Sequence, residues 1–285
     1  MWVLLLEKAY AKLHGHYYSL RYGFTHHGMM DLTGCPTISR EFKQDIEGEE
    51  LDDLWDDLKY YDDQGYLMTC ETSGFDDATE GGGPSAAGGV SGHAYSLIAV
   101  QEYQDVRLLN IRNPWGKFEW DGAWSDNSDE WTEEMIKAFK PVFSDKDGAF
   151  WMCLEDFVEK YVSINVCQVR GDWNEARFKG KFLKVQDKND EDRDWVLSKF
   201  VYKFRMEEEA QVAIGIHQED DRIEGAEKRP LMDIGFALLK DDDDDEEDLE
   251  LVDYVNYKQD REVQNTWDLE AGAYILVPLT TGALL

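Results

Sequence analysis

The sequence predicts an α+β chain in which helices come early and an antiparallel β-sandwich comes late. Apolar residues recur at helical spacing around Trp55 and, over a shorter stretch, around Phe157. After about Val162 almost every segment is a short run of β-forming residues between charged turns. With 285 residues, the chain is long enough for two domains that each bury a core. Runs of one kind of element followed by runs of another are typical of the α+β class.

Two helices are predicted in the first 65 residues. Leu4–Leu13 consists of good helix formers with no capping residue before it, which suggests that the chain is a piece of a longer protein. A Gly- and His-rich stretch follows and is predicted to be loosely structured. The next helix is amphipathic, and its apolar face has i, i+3, i+4, i+7 spacing: Leu51, Leu54, Trp55, Leu58 and Tyr61.

After Tyr66 the spacing of apolar residues approaches every second position, which is typical of strands. The predicted strands are "YLMTCET", "YSLIAVQEY" and "RLLNIRN". The last two are separated by a short turn at Gln104–Asp105, so a hairpin should join His93 to Asn113. Between the first two lies "EGGGPSAAGGVSG", a mobile loop by composition that lacks the pattern of a phosphate-binding loop. One more short helix is predicted over Leu154–Tyr161.

Seven segments after Val162 are predicted as strands of an antiparallel β-sandwich: "VSINVCQV", "FLKV", "WVLSKFVYKFRM", "QVAIGIHQ", "DIGFALLK", "NTWDL" and "AYILVPL". The acidic run Asp241–Asp248 interrupts them. Its like charges repel one another, so it is predicted as a solvated loop.

Charge and cysteine usage narrow the class of protein. The formal charge is −32, from 61 acidic and 29 basic residues. This argues against nucleic acid as a partner, because phosphates require lysines and arginines, and it favours cations or basic partners. The four cysteines have no CxxC spacing, which suggests reduced thiols and a cytoplasmic protein. The apolar run Trp2–Leu6 has no basic region before it, so no signal peptide is predicted.

His93 and Asn113 stand at the two ends of the predicted hairpin. An Asn side-chain oxygen can accept a hydrogen bond from one imidazole nitrogen and leave the other nitrogen pointing outwards. A nucleophile–base–orienter triad needs this arrangement, and Trp115 could cover the bond from water. For a single pair the simpler interpretation is a structural histidine followed by an Asn-Pro turn.

The sequence motifs around this pair resemble those of calpains and occur in the same order. They are "LLEKAYAKLHGHY", "DLTGCPT", "GHAYSL", "IRNPWGKFEWDGAWSD" and "DGAFWMCLEDF", followed by "HQEDDRI", "DIGFALLK" and "LEAGAYILVPLTTG". The resemblance covers nearly the whole chain. It implies the β-rich second half of a papain-like cysteine protease core followed by an antiparallel C2-like β-sandwich.

The same resemblance implies that the chain has three structural parts and that three of its residues have roles in catalysis. Residues 1–33 would be the last helix and linker of a truncated first protease subdomain, residues 34–163 the second subdomain, and residues 164–285 the C2-like domain. His93 would be the catalytic general base and acid. Asn113 would orient it, and Trp115 would pack beside them.

The calpain nucleophile has no counterpart in this chain. In calpains the catalytic cysteine lies in a Gln-x-x-Gly-x-Cys-Trp stretch upstream of the "EKAYAK" helix, and no such stretch is present. Cys35, Cys70, Cys153 and Cys167 are predicted to be structural or incidental. Two members of the triad are therefore expected here, and the chain alone is predicted to be inactive.

The resemblance also implies a calcium site. Glu119, Asp126 and Asp147 match its carboxylates, and Asp145 stands where a backbone carbonyl is used. Ala149 replaces the last acidic ligand, and because Ca²⁺ takes six to eight oxygens, weakened binding is expected. The competing interpretation is that these are ordinary surface carboxylates.

The sequence is compatible with two functions. The first is a calcium-dependent calpain-type cysteine endopeptidase, present as a partial chain that would act on protein substrates once the missing half is supplied. The alternative is a non-catalytic regulatory protein that binds calcium, lipid or a partner. In either case the resemblance implies that the C2-like domain can make peripheral contact with a membrane.

Overall fold

The computed structural model describes residues 1–21, 23–43, 46–72, 92–116, 119–144, 146–186, 194–219, 230–241 and 249–282. Two compact units divide the chain. One consists of Met1–Tyr22 together with Trp173–Leu285, and the other of Gly23–Asp172. Antiparallel sheets dominate both units and helices are few, which confirms the β-rich architecture expected from the sequence.

Where the Gly23–Asp172 unit is described, its strands form one six-stranded antiparallel sheet with helices packed around it. The helices are α2 (Thr25–Thr33), α3 (Glu49–Asp63), α4 (Glu133–Phe139) and α5 (Leu154–Lys160); α1 (Trp2–Leu13) precedes them in the other unit. The strands are β1 (Thr37–Glu41), β2 (Leu67–Thr72), β3 (Ala94–Tyr103), β4 (Val106–Arg112), β5 (Ala149–Cys153) and β6 (Tyr161–Cys167). Their order across the sheet is β1-β6-β2-β3-β4-β5.

Helix α3 covers one face of this sheet with the residues that its periodicity predicted. Leu54, Trp55 and Leu58 are buried in the main core, where they join Met68 and Val100 from the sheet. The Trp55 indole N–H also donates to a Glu102 carboxylate oxygen on β3, at 3.0 Å. The apolar stripe and this hydrogen bond fix the helix against the strand that follows His93.

The predicted hairpin is confirmed. Strand β3 ends at Tyr103 and β4 begins at Val106, so the connection is a two-residue loop. Its residues, Gln104 and Asp105, have φ of 50° and 64°. A left-handed pair of this kind matches the right-handed twist of the strands, although Asn-Gly is the sequence that fits it best.

The prediction that "VSINVCQV" begins the sandwich is wrong. Its residues form β6, which pairs with β1 on one side and β2 on the other, in the middle of the six-stranded sheet. The predicted boundary between residues 163 and 164 falls inside this strand. Residue alternation shows that a segment is a strand, but it does not show which strands will pair with it.

Helix α2 was expected to be loosely structured, and that prediction is also wrong. It covers Thr25–Thr33 and ends at Gly34, whose φ of 73° is the left-handed conformation that commonly closes a helix. Helix α1 has no side-chain hydrogen bond at its N-cap residue Met1, as the sequence predicted.

The described residues of the other unit form eight strands in three antiparallel sheets. They are β7 (Phe182–Gln186), β8 (Asp194–Ser198), β9 (Tyr202–Met206), β10 (Ala210–His217), β11 (Ile234–Asp241), β12 (Leu249–Lys258), β13 (Glu262–Leu269) and β14 (Gly272–Leu279). One sheet has the order β12-β11-β14-β9, and the pairs β10-β13 and β7-β8 form the others. Phe236 of the larger sheet and Val263 of the β10-β13 pair lie in the same buried cluster. These two sheets therefore share a core.

Three predictions fall wholly or mostly outside the described residues. They concern the glycine-rich loop "EGGGPSAAGGVSG", the residue Asp145, and all of the acidic run except Asp241. Among the helices that are described, none is long and apolar enough to cross a membrane.

Replacing Asp105 by glycine should stabilise the hairpin. Glycine adopts a φ of 64° without the steric cost that a Cβ imposes, so the free energy of unfolding should rise by about 0.5–1 kcal/mol. Asp105→Ala removes the carboxylate but keeps the Cβ, and it serves as the control. Urea denaturation of both variants would measure the difference, and a gain in Asp105→Ala as large as that in Asp105→Gly would contradict the conformational explanation.

Candidate active site

Strand β2 fixes the backbone at His93, which immediately precedes β3. The His93 N–H donates to the Thr72 hydroxyl at 3.1 Å, and the Thr72 N–H donates to the His93 carbonyl at 3.1 Å. A Cβ on Gly92 would lie 2.5 Å from the Thr72 carbonyl oxygen, so the close approach of the two chains requires glycine there. These contacts continue the β2–β3 ladder and hold the histidine at its end.

The loop before β5 fixes Asn113, the first residue after β4. Its N–H donates to the Gly148 carbonyl at 2.8 Å, and its own carbonyl accepts from the Gly116 N–H at 3.0 Å. Gly148 has a φ of 75°, and a Cβ there would lie 2.6 Å from the Asn113 carbonyl oxygen. The asparagine is completely buried, so its side chain has a single well-defined environment.

The two predicted residues form the expected hydrogen bond. His93 Nε2 lies 3.0 Å from Asn113 Oδ1. The Trp115 backbone N–H also donates to Oδ1, at 3.1 Å, which identifies this atom of the amide as the oxygen. Because an amide oxygen only accepts, Nε2 must carry a proton, and Nδ1 is the nitrogen left for chemistry.

Two aromatic rings enclose the imidazole. The ring centroid of Tyr95 lies 4.7 Å from that of His93, and the ring centroid of Trp115 lies 4.9 Å from it. Tyr95 belongs to the buried core, whereas Trp115 is half exposed. The histidine is therefore held between the core and a ring that shields it from part of the solvent.

The three described carboxylates of the predicted calcium site all bind backbone N–H groups between residues 144 and 149. Glu119 accepts from Gly148 at 2.9 Å, and Asp126 accepts from Ser144 at 2.6 Å. Asp147 accepts from Ala149 at 2.9 Å. The segments that the sequence pattern linked to calcium are thus brought to one loop, the same loop that supports Asn113.

These carboxylates do not converge on one point. Within the described ranges, Glu119, Asp126 and Asp147 do not form a group whose oxygen atoms all lie within 4.8 Å of one another. Glu119 and Asp126 line an acidic cavity of about 430 Å³ formed by residues 119–130, and Asp147 is not part of its lining. The donor set has the oxygen chemistry that Ca²⁺ prefers, but its arrangement here supplies only part of a coordination sphere.

None of the four cysteines is placed to serve His93. Cys70 and Cys167 are completely buried, and burial raises the pKa of the Cys70 thiol well above its ordinary value. Burial also raises the pKa of Cys153 to about 12, and its Sγ donates to Asp156. Cys35 precedes β1 at the end of the sheet where Leu67 pairs with Cys167. At roughly 3.3 Å per residue, that end lies about 17 Å from Thr72 and His93.

Comparison with known proteins identifies the family. Residues 1–168 match the family model described as calpain family cysteine protease. The chain belongs to the calpain family. Residues 173–283 match a second calpain model, that of domain III of the large subunit. The range matched by the first model includes His93 and Asn113.

Curated relatives come from plants and animals. The chain is 40% identical to the calpain-type cysteine protease ADL1 of Oryza sativa subsp. japonica over 172 residues, which are 59% of this chain and 8% of that protein. It is 28% identical to Calpain-14 of Homo sapiens, covering 97% of this chain and 44% of that protein. It is also 28% identical to Calpain-A of Drosophila melanogaster, covering 98% and 38%. The chain thus spans less than half the length of these calpains.

Sequence reasoning missed the residues that support the pair from outside the hairpin. Thr72 stands at the end of a strand and contacts His93 through both its backbone and its hydroxyl, whereas Gly148 stands in a loop and contacts Asn113 through its backbone. The signal for Gly148 was present in part, because an Asp-Gly pair just before a strand is typical of a turn that needs a positive φ. No comparable signal distinguishes Thr72 from other strand threonines.

Two cysteines of similar exposure, Cys35 and Cys153, should differ in their rate of alkylation. Cys35 and Cys153 are both partly exposed, but with a pKa of about 12 only about one Cys153 thiol in ten thousand is a thiolate at pH 8. We expect iodoacetamide at pH 8 to label Cys35 first and to leave Cys153, Cys70 and Cys167 largely unmodified. Peptide mass mapping over time would measure this, with urea-unfolded protein as the control. Labelling of Cys153 as fast as Cys35 would contradict the assignment.

Proposed function

We propose that this chain is the His/Asn half of a calpain-type cysteine endopeptidase. The hydrogen bond between His93 Nε2 and Asn113 Oδ1 carries the proposal, because it leaves Nδ1 as the basic atom at the end of the strand. The enclosing rings of Tyr95 and Trp115 support the same role by limiting how far the imidazole can turn. The nucleophile would come from a cysteine-bearing half that these 285 residues do not contain.

The chemistry follows from the position of Nδ1. It would accept the proton of the incoming thiol, and the resulting imidazolium would stabilise the thiolate as an ion pair. The thiolate would then attack the carbonyl carbon of the substrate peptide, and His93 would pass the same proton to the departing amine. Asn113 would hold the ring plane through both steps, which is the task of the third member of a triad.

The Trp173–Leu285 part of the chain would be a C2-like β-sandwich. The core shared by two of its antiparallel sheets supports this, as does the match to calpain domain III. Because relatives are named as cysteine proteases, the completed protein would act on protein substrates. The scattered cysteines favour the cytoplasm as the place where it would do so. The C2-like domain would be its point of peripheral contact with membranes.

A regulatory role without catalysis is the second candidate. The observation that favours it is that Cys35, Cys70, Cys153 and Cys167 are all unsuited to serve His93. In that case the C2-like domain would bind calcium, lipid or a partner protein. The two candidates differ in whether joining a cysteine-bearing half upstream restores cleavage.

Calcium would bind near Asn113, which would couple it to the site. Glu119 and Asp147 accept hydrogen bonds within the loop whose Gly148 carbonyl holds the Asn113 N–H. If one calcium ion brought these carboxylates and that of Asp126 together, the loop would move. The Gly148 carbonyl that accepts from the Asn113 N–H would move with it. Ala149 would weaken the site by one carboxylate.

Joining the cysteine-bearing half of a calpain upstream should produce a protease that depends on His93. His93→Ala should reduce turnover of a casein-like substrate by about 10²-fold or more, because the general base is lost. Asn113→Ala should retain more activity, because the ring is only misoriented.

The control for this assay is His16→Ala, which removes an exposed histidine outside the Gly23–Asp172 unit. The chain by itself should cleave nothing, with or without calcium. Equal activity of the wild-type and His93→Ala fusions would refute the assignment, and no activity in any fusion would favour the regulatory role.

Calcium binding by the Gly23–Asp172 unit, measured in the whole chain, should be weak and should increase in Ala149→Glu. The substitution restores a carboxylate beside Asp147, and calcium affinities in proteins range over roughly 10⁻⁹ to 10⁻³ M as the charge and rigidity of the ligands change. Ala149→Gln has nearly the same shape without the charge and serves as the control. Calorimetry would decide the matter, and tight binding that neither substitution changes would contradict the predicted ligand set.

A further inference from the structure

Two of the four cysteines contact the same hydroxyl group, that of Thr33 at the end of α2. Thr33 Oγ1 donates to the Met29 carbonyl at 2.7 Å and accepts from the Cys35 backbone N–H at 3.1 Å. Its third contact is with Cys167 Sγ, at 3.2 Å. A hydroxyl has one proton, and Met29 accepts it, so the Cys167 thiol must donate to Thr33. The Cys167 sulfur therefore points at the segment that contains Cys35.

The segment from Thr33 to Thr37 lies against Cys167 at both ends. The Cys35 nitrogen and the Cys167 sulfur lie 3.1 and 3.2 Å from one oxygen, so they are at most about 6.3 Å apart. Thr37 pairs directly with Cys167 across β1 and β6. This separation is of the size that a disulfide spans, since the α-carbons of bonded cysteines lie about 4.4–6.8 Å apart. The Cys35 sulfur contacts the Thr33 carbonyl at 3.9 Å, which is too long a distance to oppose rotation of the side chain.

The two thiols differ in their exposure to solvent. Cys35 is partly exposed, whereas Cys167 is completely buried. A small oxidant in the solvent therefore reaches Cys35 first, and Cys167 can react only with a sulfur that is already beside it. Redox-sensitive cysteines commonly have this arrangement, in which an accessible thiol is paired with a second, resolving cysteine.

The other two cysteines are not placed to compete for Cys35. Cys70 belongs to the main core, on the face of the sheet that also carries Val166. Cys167 follows Val166 on β6, so its side chain points to the opposite face. Cys153 is on β5, which lies four strands from β6, or about 19 Å. Among the four cysteines, Cys167 is therefore the partner within reach of Cys35.

We propose that Cys35 and Cys167 form a peroxide-sensitive site, at which a reversible disulfide joins the α2–β1 connection to β6. This inference goes beyond the peptidase function proposed for His93 and does not depend on it. In a reducing compartment such a pair is reduced at rest, and the disulfides that do form there are mostly transient and redox-sensing.

The reaction takes place in two steps and uses one molecule of hydrogen peroxide. The Cys35 thiolate attacks one peroxide oxygen, the O–O bond breaks, and the departing hydroxide takes up a proton to become water. Cys35 is then a sulfenic acid. The Cys167 sulfur attacks the Cys35 sulfur, the S–O bond breaks, and the departing hydroxide takes the proton of the Cys167 thiol. Two thiols are thus oxidised to one disulfide, and the peroxide is reduced to two molecules of water.

The cross-link should stabilise the Gly23–Asp172 unit. It joins two residues that are far apart in sequence and so restricts the unfolded chain, whereas the folded chain already holds them together. Its formation should raise the thermal unfolding midpoint of the whole chain by about 5 °C or more. Dithiothreitol should reverse the gain, because it reduces the disulfide.

The test is to treat the folded whole chain with an equimolar amount of hydrogen peroxide and to map its cysteines by mass spectrometry without reduction. We expect one linked pair of peptides that contains Cys35 and Cys167, with the mass of two hydrogens lost, and its disappearance after dithiothreitol. Peroxide added to the urea-unfolded chain is the control, because there the native contacts no longer select the pair.

Two serine variants separate the two steps. Cys167→Ser keeps a hydroxyl that can donate to Thr33, and without a resolving thiol it should accumulate a Cys35 sulfenic acid that dimedone traps. Cys35→Ser leaves the backbone N–H contact to Thr33 intact, and it should give no cross-link and no gain in the unfolding midpoint. Cys153→Ser removes the other partly exposed thiol and is the matched control, so it should form the cross-link as the wild type does.

Several results would overturn the inference. They are oxidation of Cys35 to sulfinic acid with Cys167 still reduced, a link from Cys35 to another cysteine or to a second chain, and a Cys35–Cys167 link that forms only in urea. A fall of the unfolding midpoint on cross-linking would also overturn it, because the two segments would then have been forced out of their native positions. Each of these results leaves the function proposed for His93 standing, since none of them involves cleavage of a substrate.

Discussion

The hydrogen bond between His93 and Asn113 is the constraint on which the rest of the site depends. Both residues stand just outside strands, where the ladder no longer fixes the backbone by itself. Each is therefore held by a second segment, His93 by Thr72 and Asn113 by Gly148. Residues from four parts of the chain thus fix the positions of the two ring nitrogens of His93 and of Asn113 Oδ1. Such support is needed because an imidazole can act as a base only if thermal motion does not change its orientation.

The central part of this arrangement could be predicted from the sequence. Two alternating segments separated by a short turn indicate a hairpin, and a hairpin brings residues at the outer ends of its strands together. That argument needs only local patterns. The support from Gly148 could not be predicted in the same way, because β5 pairs with β4 across a long intervening segment whose length carries no signal for register.

The two wrong fold predictions have different physical causes. Strand β6 was recognised as a strand but assigned to the wrong sheet, because alternation does not specify a partner. Helix α2 was missed because its histidines, threonines and glycine are weak helix formers. Tertiary contacts override that weakness, since Thr25 and His26 bond to Glu71 and Asn165 on the sheet. In both cases the deciding information is non-local.

Among the residues that the structure describes, two histidine–asparagine hydrogen bonds have the same length of 3.0 Å, but they leave different ring nitrogens available. In the His93 pair the bond uses Nε2, and Nδ1 remains available at the end of a strand beside a partly exposed ring. In the His26 pair the bond uses Nδ1, and the asparagine passes the interaction on to Glu71. The first bond leaves Nδ1 available for the proposed role as a base, whereas the second helps to hold the Glu71 carboxylate. A histidine near an asparagine therefore indicates a function only when the structure shows which imidazole nitrogen is not used in their hydrogen bond and which groups lie beside that nitrogen.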